Sequence, residues 1–348
     1  MPEGHSVHRI ARQFARNFVG REVQASSPQG RFADGAAVLS GRTPTAARAV
    51  GKQMFLEFDE EVWLRVHLGL YGAWDFAGEI LVDSTIASAN GRMGQTNQRG
   101  TDLAASTDAP VFDDAGENSL ASIGAPRRAR VHVRMSEQTR ALESSGPGAP
   151  DENSGAPEGE WPPPVVGQVR LRLLTDVTCA DLRGPTACVI EPPTQIAAVI
   201  ARLGPDPLVG DPAENEERFV AAVRARNVAI GQLLMDQSVV SGIGNVYRAE
   251  MLFRANLDPH TPGKAIPEEV VRGLWRDWVG LLRIGVETGQ MMTMDGLEGD
   301  AWRKAMAHRD DRHWVYHRAG LPCRVCGTEI VLEEMQARKL YWCPNCQR

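Results

Sequence analysis

Residues 238–250 read SVVSGIGNVYRAE: one helical pattern ends, two glycines flank Ile243, and another helical pattern starts at Asn245. Gly242 and Gly244 let the backbone turn sharply and approach a partner, and the free N–H groups at the following helix start attract an anion, so a phosphate is a natural guest. An αα-corner with glycine at the helix end has the same local sequence. The flanks are helical in pattern. NEERFVAAVRAR, VAIGQLLMDQSVV, NVYRAEMLFRA and PEEVVRGLWRDWVGLLRIGVETG carry apolar residues at spacings of three and four, the last with Pro267 and two glutamates as helix starters. They predict a helical domain over about 214–290.

Upstream, the proline-rich LGPDPL at 203–208 marks a change of architecture. Before it, QMFLEFD, VWLRVHLGLYGAW, ARVHVRM and VGQVRLRLL read as strands and hairpins. SVHRIARQFARNFV, residues 6–19, places Val7, Ile10, Phe14 and Phe18 on one face of a leading helix that stops at Gly20. Two stretches, 84–126 and 136–164, are rich in Gly, Ser, Ala, Asp and Pro without periodicity and read as mobile insertions.

The chain of 348 residues has room for two or three domains, and its net charge of -6 argues at first against a nucleic-acid partner. The distribution reverses that. Residues 79–165 hold 13 Asp+Glu against 7 Arg and no Lys, so the remainder sums to zero, and residues 301–348 carry 9 Lys+Arg against 5 Asp+Glu. No run of 18 apolar residues and no signal-peptide pattern occurs, so no membrane contact is expected, and a cytoplasmic, nucleoid-associated protein is.

CRVC and YWCPNC supply Cys323, Cys326, Cys343 and Cys346, with sixteen residues between the pairs. Four thiolates at this spacing suit one tetrahedral structural Zn2+ with no open position for chemistry. The basic QARKLYW between the pairs is placed to touch phosphate or base; a solvated charged turn is the competing reading. Cys179 and Cys188 read as small buried hydrophobes.

At the other end stands MPEGH. Once Met1 is removed, Pro2 presents a secondary amine able to attack a sugar C1' and form an iminium, an electron sink. Glu3 could serve as general acid or base beside it. Proline after Met is also common without any such role.

In this order, MPEG, VGKQMFLEF, QSVVSGIGNVYRAEML, and CRVC with ARKLYWCPNCQR resemble the signatures of the formamidopyrimidine-DNA glycosylase and endonuclease VIII family, closer to the endonuclease VIII branch. The resemblance covers residues 1–76 and about 166–348. It implies an α+β fold: an N-terminal β-sandwich domain with a leading helix (1–200), a helix-two-turns-helix domain (201–300) and a four-cysteine zinc finger (301–348). It also implies Pro2 as nucleophile, Glu3 as general acid/base and Lys52 as a hairpin residue that binds phosphate and aids elimination. Asn245 and Arg338 would hold phosphates, and Leu70 with Tyr71 would fill the space left by a flipped base, unless they are buried strand residues.

The implied activity is a bifunctional DNA glycosylase and abasic-site lyase of base-excision repair, acting as a monomer on damaged double-stranded DNA, single-stranded DNA or abasic sites. Oxidised pyrimidines are the expected lesions. An 8-oxoguanine or formamidopyrimidine specificity and a non-catalytic damage-binding protein are the alternatives. Two features depart from the family pattern: His5, where many members have proline, and the acidic segment 79–165.

Overall fold

The structure, a computed structural model, describes residues 2–81, 122–124 and 161–348. The segment expected to be an insertion thus lies mostly outside the described residues, as does the strand expected at ARVHVRM.

Helix α1 (Gly4–Asn17) begins two residues earlier than its apolar pattern, because Glu3 adopts an extended conformation and acts as its N-cap residue. Its buried face, Val7, Ile10, Phe14 and, just beyond, Phe18, enters the core between two antiparallel sheets. One sheet has β2 (Pro44–Val50), β3 (Gln53–Phe58), β4 (Trp63–His67) and β9 (Ala187–Glu191) in that order. The other runs β1 (Gln24–Ser26), β7 (Leu171–Leu174), β8 (Thr178–Arg183), β5 (Ala73–Gly78), β6 (Ser122–Gly124). Period-two alternation sorts the side chains: Met54, Leu56 and Phe58 point into the shared core, while Phe55 packs on the far face against Ile196 of α3 (Pro193–Ala201). Helix α2 (Ala33–Leu39) seals one end with Leu39.

The β-sandwich with a leading helix is therefore as expected, with one correction. The stretch 84–126 was expected to lack regular structure, yet Ser122–Gly124 pairs with Ala73–Asp75, and Ile123 is buried in the core. Three residues are too few for a periodic signal, and the open edge of β5 supplies what the sequence pattern lacks.

The helical half contains α4 (Pro212–Arg224), α5 (Ile230–Leu233), α6 (Asn245–Arg254), α7 (Glu268–Thr288) and α8 (Gly299–Ala307). VAIGQLLMDQSVV shortens to the single turn of α5, since Asp236 caps a following turn by accepting from the Ser238 N–H (2.9 Å) and hydroxyl (2.7 Å). The ribbon strands β10 (Val331–Met335) and β11 (Arg338–Trp342) have no separate core. Ile330, Tyr341, Cys323 and Cys343 join the cluster built by Trp275, Trp278, Leu252 and Phe253. Among the described residues no helix is long and apolar enough to cross a membrane.

Gly244 and Gly273 predict opposite responses to alanine. A Cβ on Gly244 would lie 2.4 Å from Glu3 Cδ, whereas one on Gly273, inside α7, meets nothing within 4 Å. In denaturant melts Gly244→Ala should lose about 1–3 kcal/mol, and Gly273→Ala should gain about 0.5–1 kcal/mol.

Candidate active site and nucleic-acid interface

Three glycine backbones converge beneath the N-terminus. Gly4 N–H donates to Gly242 O (2.9 Å), and an ideal Cβ on Gly51 would stand 2.7 Å from Ser241 Cβ. Gly242 has φ +93, and an ideal Cβ there would stand 3.0 Å from the Trp278 ring and 3.4 Å from the Gly4 Cα. The start of α1, the β2–β3 hairpin tip and the turn before α6 thus touch through main chain, which only residues without a Cβ permit.

Glu3 occupies the centre. Fully buried, its carboxylate accepts from Gly244 N–H (2.8 Å) and Val246 N–H (2.9 Å), so the helix-start anion site read from SVVSGIGNVYRAE is filled by a carboxylate of the same chain. Burial pushes the Glu3 carboxyl above its ordinary range, against the pull of Lys52 and of the two N–H donors. Pro2, also buried, precedes it directly. Lys52, at the hairpin tip, is pushed below the usual lysine range by burial, an effect that Glu3 opposes and Arg338 reinforces. The expected trio of Pro2, Glu3 and Lys52 is therefore brought together, with Arg338 in electrostatic reach.

Arg338 follows the turn Gln336–Ala337, whose residues take φ of 51 and 54, and is exposed at the base of β11. Asn245 differs from expectation in its surroundings. It is buried, its amide donates to Lys339 O (2.7 Å), and it accepts from Arg248 (2.5 Å), which also reaches Lys339 O (3.1 Å). In this state the side chain fastens the ribbon to α6 and does not face solvent. Leu70 and Tyr71 are not buried strand residues; they project from the turn between β4 and β5, 41% and 79% exposed. That turn is tight because Gly69 has φ +64 and lies against Thr186.

The four Sγ atoms of Cys323, Cys326, Cys343 and Cys346 lie within 4.8 Å of one another, with 3.9 Å between Cys323 and Cys346 and 3.5 Å between Cys326 and Cys343. Tetrahedral Zn–S bonds of about 2.3 Å imply sulfur separations of about 3.8 Å, so one Zn2+ fits these donors and holds the ribbon. Cys179 and Cys188 are buried, and burial pushes both thiols up to about 12, which keeps them unreactive.

Sequence reasoning passed over four residues at this site. Asp206 accepts from Gly51 N–H (2.6 Å) and lies 2.8 Å from His8 Nε2; burial raises its carboxyl, but these partners outweigh burial and hold it below the usual range. His67 ends β4 opposite Gln53, beside Lys52, and burial, then Lys52 and Arg65, lower its pKa. Arg248 is buried, and desolvation brings it down to about 10. Glu250, fully buried, accepts from Trp314, Val315 and Tyr316 N–H at 2.7, 2.9 and 2.8 Å and from the Thr293 hydroxyl, tying the approach to the ribbon onto α6. Glu250 and Arg248 were visible only as polar members of an amphipathic helix. Asp206, in LGPDPL, offered a signal as a lone acid between prolines.

Comparison with known proteins identifies this assembly. The profile of the formamidopyrimidine-DNA glycosylase N-terminal domain matches residues 1–188, that of the formamidopyrimidine-DNA glycosylase H2TH domain residues 203–295, and the zinc finger found in FPG and IleRS residues 320–348. The chain belongs to the formamidopyrimidine-DNA glycosylase and endonuclease 8 family. It is 35% identical to Endonuclease 8 1 of Mycobacterium tuberculosis H37Rv, covering 100% of both chains. Formamidopyrimidine-DNA glycosylase of Methylococcus capsulatus is 35% identical over 45% of this chain and 56% of its own. Among solved structures, Lactococcus lactis Fpg in complex with abasic-site DNA aligns at TM-score 0.63 and 16% identity, with 99% of both chains covered. MutM (Fpg) from Thermus thermophilus aligns at TM-score 0.58 and 21% identity, with 99% of this chain and 98% of that one covered. At these identities the structural likeness establishes the shared fold.

His5, the departure from the family signature, is buried against Tyr247 with ring centroids 5.7 Å apart. Burial, then the charge of Arg9, pushes its pKa from 6.5 down to about 3. Below pH 6.5 the unfolded chain binds a proton that the folded chain refuses, so His5 costs stability progressively as pH falls toward 3. Relative to His5→Leu, the wild type should lose up to about 1.4 kcal/mol per pH unit below about pH 6 and nothing above about pH 7.5. Denaturation of both proteins from about pH 7.5 to about pH 5 checks this, and a constant difference overturns it.

Proposed function

We propose that this protein is a bifunctional DNA glycosylase and abasic-site lyase of base-excision repair, with Pro2 as nucleophile and oxidised pyrimidines as preferred lesions. The observation that carries the reading is the convergence of a buried Glu3 and the hairpin Lys52 beside Pro2, where the start of α1, the β2–β3 hairpin tip and the turn before α6 meet. The amine of Pro2 attacks C1' of a flipped nucleotide and the base departs with its bonding pair. Glu3, whose proton affinity burial raises, delivers a proton to the ring oxygen as the sugar opens to the iminium. The iminium acidifies C2'; proton loss there expels the 3' phosphate, and a second elimination expels the 5' phosphate. Lys52, with its lowered pKa, binds a phosphate and helps move these protons. Leu70 and Tyr71 fill the gap in the duplex, and Arg338 and Asn245 take backbone phosphates, Asn245 by releasing Lys339 O. Zn2+ holds the ribbon tip in place and takes no part in the chemistry.

The substrate would be damaged double-stranded DNA, with abasic and single-stranded DNA as further substrates, in the cytoplasm at the nucleoid. The full-length likeness to a protein named endonuclease 8 favours pyrimidine lesions, and the shorter matches to proteins named formamidopyrimidine-DNA glycosylase keep 8-oxoguanine as the second reading. Excision rates on duplexes carrying thymine glycol, dihydrouracil and 8-oxoguanine decide between them.

Borohydride trapping on abasic-site DNA tests the mechanism. Wild type should form a covalent adduct, and Pro2→Gly and any variant that keeps a residue ahead of Pro2 should not. A wild type without adduct points instead to a non-catalytic damage-binding protein. Arg338→Ala should weaken duplex binding and lower the salt slope by about one. Asn245→Ala should weaken binding with a smaller change of slope, because its amide is neutral; titrations at several salt concentrations measure both. Removal of zinc should abolish duplex binding, and an unaltered affinity after confirmed removal would refute the ribbon's part.

A further inference from the structure

Asp206 sits in the connector LGPDPL, far in sequence from Pro2, Glu3 and Lys52, yet its carboxylate bonds to the residue before Lys52 and to the helix that follows Glu3. Oδ2 accepts the Gly51 N–H at 2.6 Å and lies 2.8 Å from His8 Nε2, while Oδ1 accepts the Leu208 N–H at 2.9 Å. The carboxylate is buried. Gly51 N–H is one residue ahead of Lys52 in the hairpin tip, and His8 lies one turn into the helix that Pro2 and Glu3 begin.

The connector that carries Asp206 is itself fixed to the turn before α6. Ser241 N–H donates to Pro205 O (3.0 Å), the Ser241 hydroxyl to Gly204 O (2.8 Å), and Gly204 N–H to Gln237 O (2.8 Å). Gly51 is therefore held from two sides, by the Asp206 carboxylate and by contact with Ser241, at φ +57. A hairpin tip without this acceptor would leave a buried N–H unpaired, and such a group is not tolerated without local rearrangement.

We propose that Asp206 is a positioning residue for Lys52: it sets the hairpin tip, and hence the Lys52 ammonium, relative to Pro2 and Glu3, with His8 fixing the orientation of the carboxylate. The inference rests on the role given to Lys52 above. Asp206 touches no substrate. Its effect passes through the Gly51 peptide to Lys52, so it falls on the elimination step and on no DNA contact other than the phosphate that Lys52 binds.

The test is a double-mutant cycle on strand cleavage, in single turnover at saturating abasic-site duplex. Asparagine keeps the size of Asp206 but has one acceptor oxygen where two are used, so either Gly51 or Leu208 N–H loses its partner. Asp206→Asn should slow cleavage about tenfold, as a misplaced catalytic group does, and saturating duplex keeps any weakening of the single Lys52 phosphate contact out of the measured rate. In the Lys52→Ala background the same substitution should add nothing, because residues acting through one another are non-additive. Multiplying losses in the double variant, or a wild-type rate in Asp206→Asn, overturns the proposal. If Asp206→Asn does not fold, His8→Leu replaces it, with a smaller slowing that also vanishes in Lys52→Ala; persistence there has the same adverse meaning. Borohydride trapping of the wild type runs alongside. No adduct there overturns the parent reading, whereas an adduct with additive losses overturns this inference alone.

Discussion

The carboxylate of Glu3, buried and bonded to the N–H groups of Gly244 and Val246, joins the first residues of the chain to a turn 241 positions away. A buried carboxylate without partners is too costly to keep. Those two N–H groups at a helix start are what make its position tenable, and the free space at Gly244 is what lets the carboxylate reach them. Burial raises the carboxyl's proton affinity while the two N–H donors lower it, so the packing of the two halves also sets how readily this group holds a proton.

The remaining interfaces are organised around that junction. On one side the sandwich core, with Phe14 and Trp74 rings 4.8 Å apart, holds α1 and thereby aims Pro2. On the other, α6 carries polar groups that reach outward from a buried helix: Glu250 captures three successive peptide N–H groups on the way to the ribbon, and Asn245 with Arg248 captures the ribbon at Lys339 O. A ribbon with little apolar surface of its own is positioned by metal, by a shared core and by these hydrogen bonds. Arg338 is thereby fixed near Lys52 although no regular element connects them.

Much of this was legible in the sequence for identifiable reasons. Paired cysteines at metal spacing, a helical period in α4, α6 and α7, and an apolar stripe on α1 are local signals, written within one element each. VAIGQLLMDQSVV had the helical period but yields a single turn, because Asp236 and the packing of Val239 and Val240 compete with the ladder. The strand at Ser122–Gly124 had no signal of its own and is created by its neighbour. Leu70 and Tyr71 could be read as either strand or tip until the Gly69 turn put them outside.

By itself the sequence determined most of the helices and the four paired cysteines, since each follows from spacing inside a short window, and its ordered motifs carried the resemblance to the family. The tertiary structure decided what those side chains meet. The anion at the α6 start turned out to be Glu3, Asn245 turned inward to Lys339, and Asp206 became the acceptor for the Lys52 hairpin. Each of these is a contact between residues tens to hundreds of positions apart, made where glycine backbones pack closely, and no local periodicity encodes which distant backbone will arrive there.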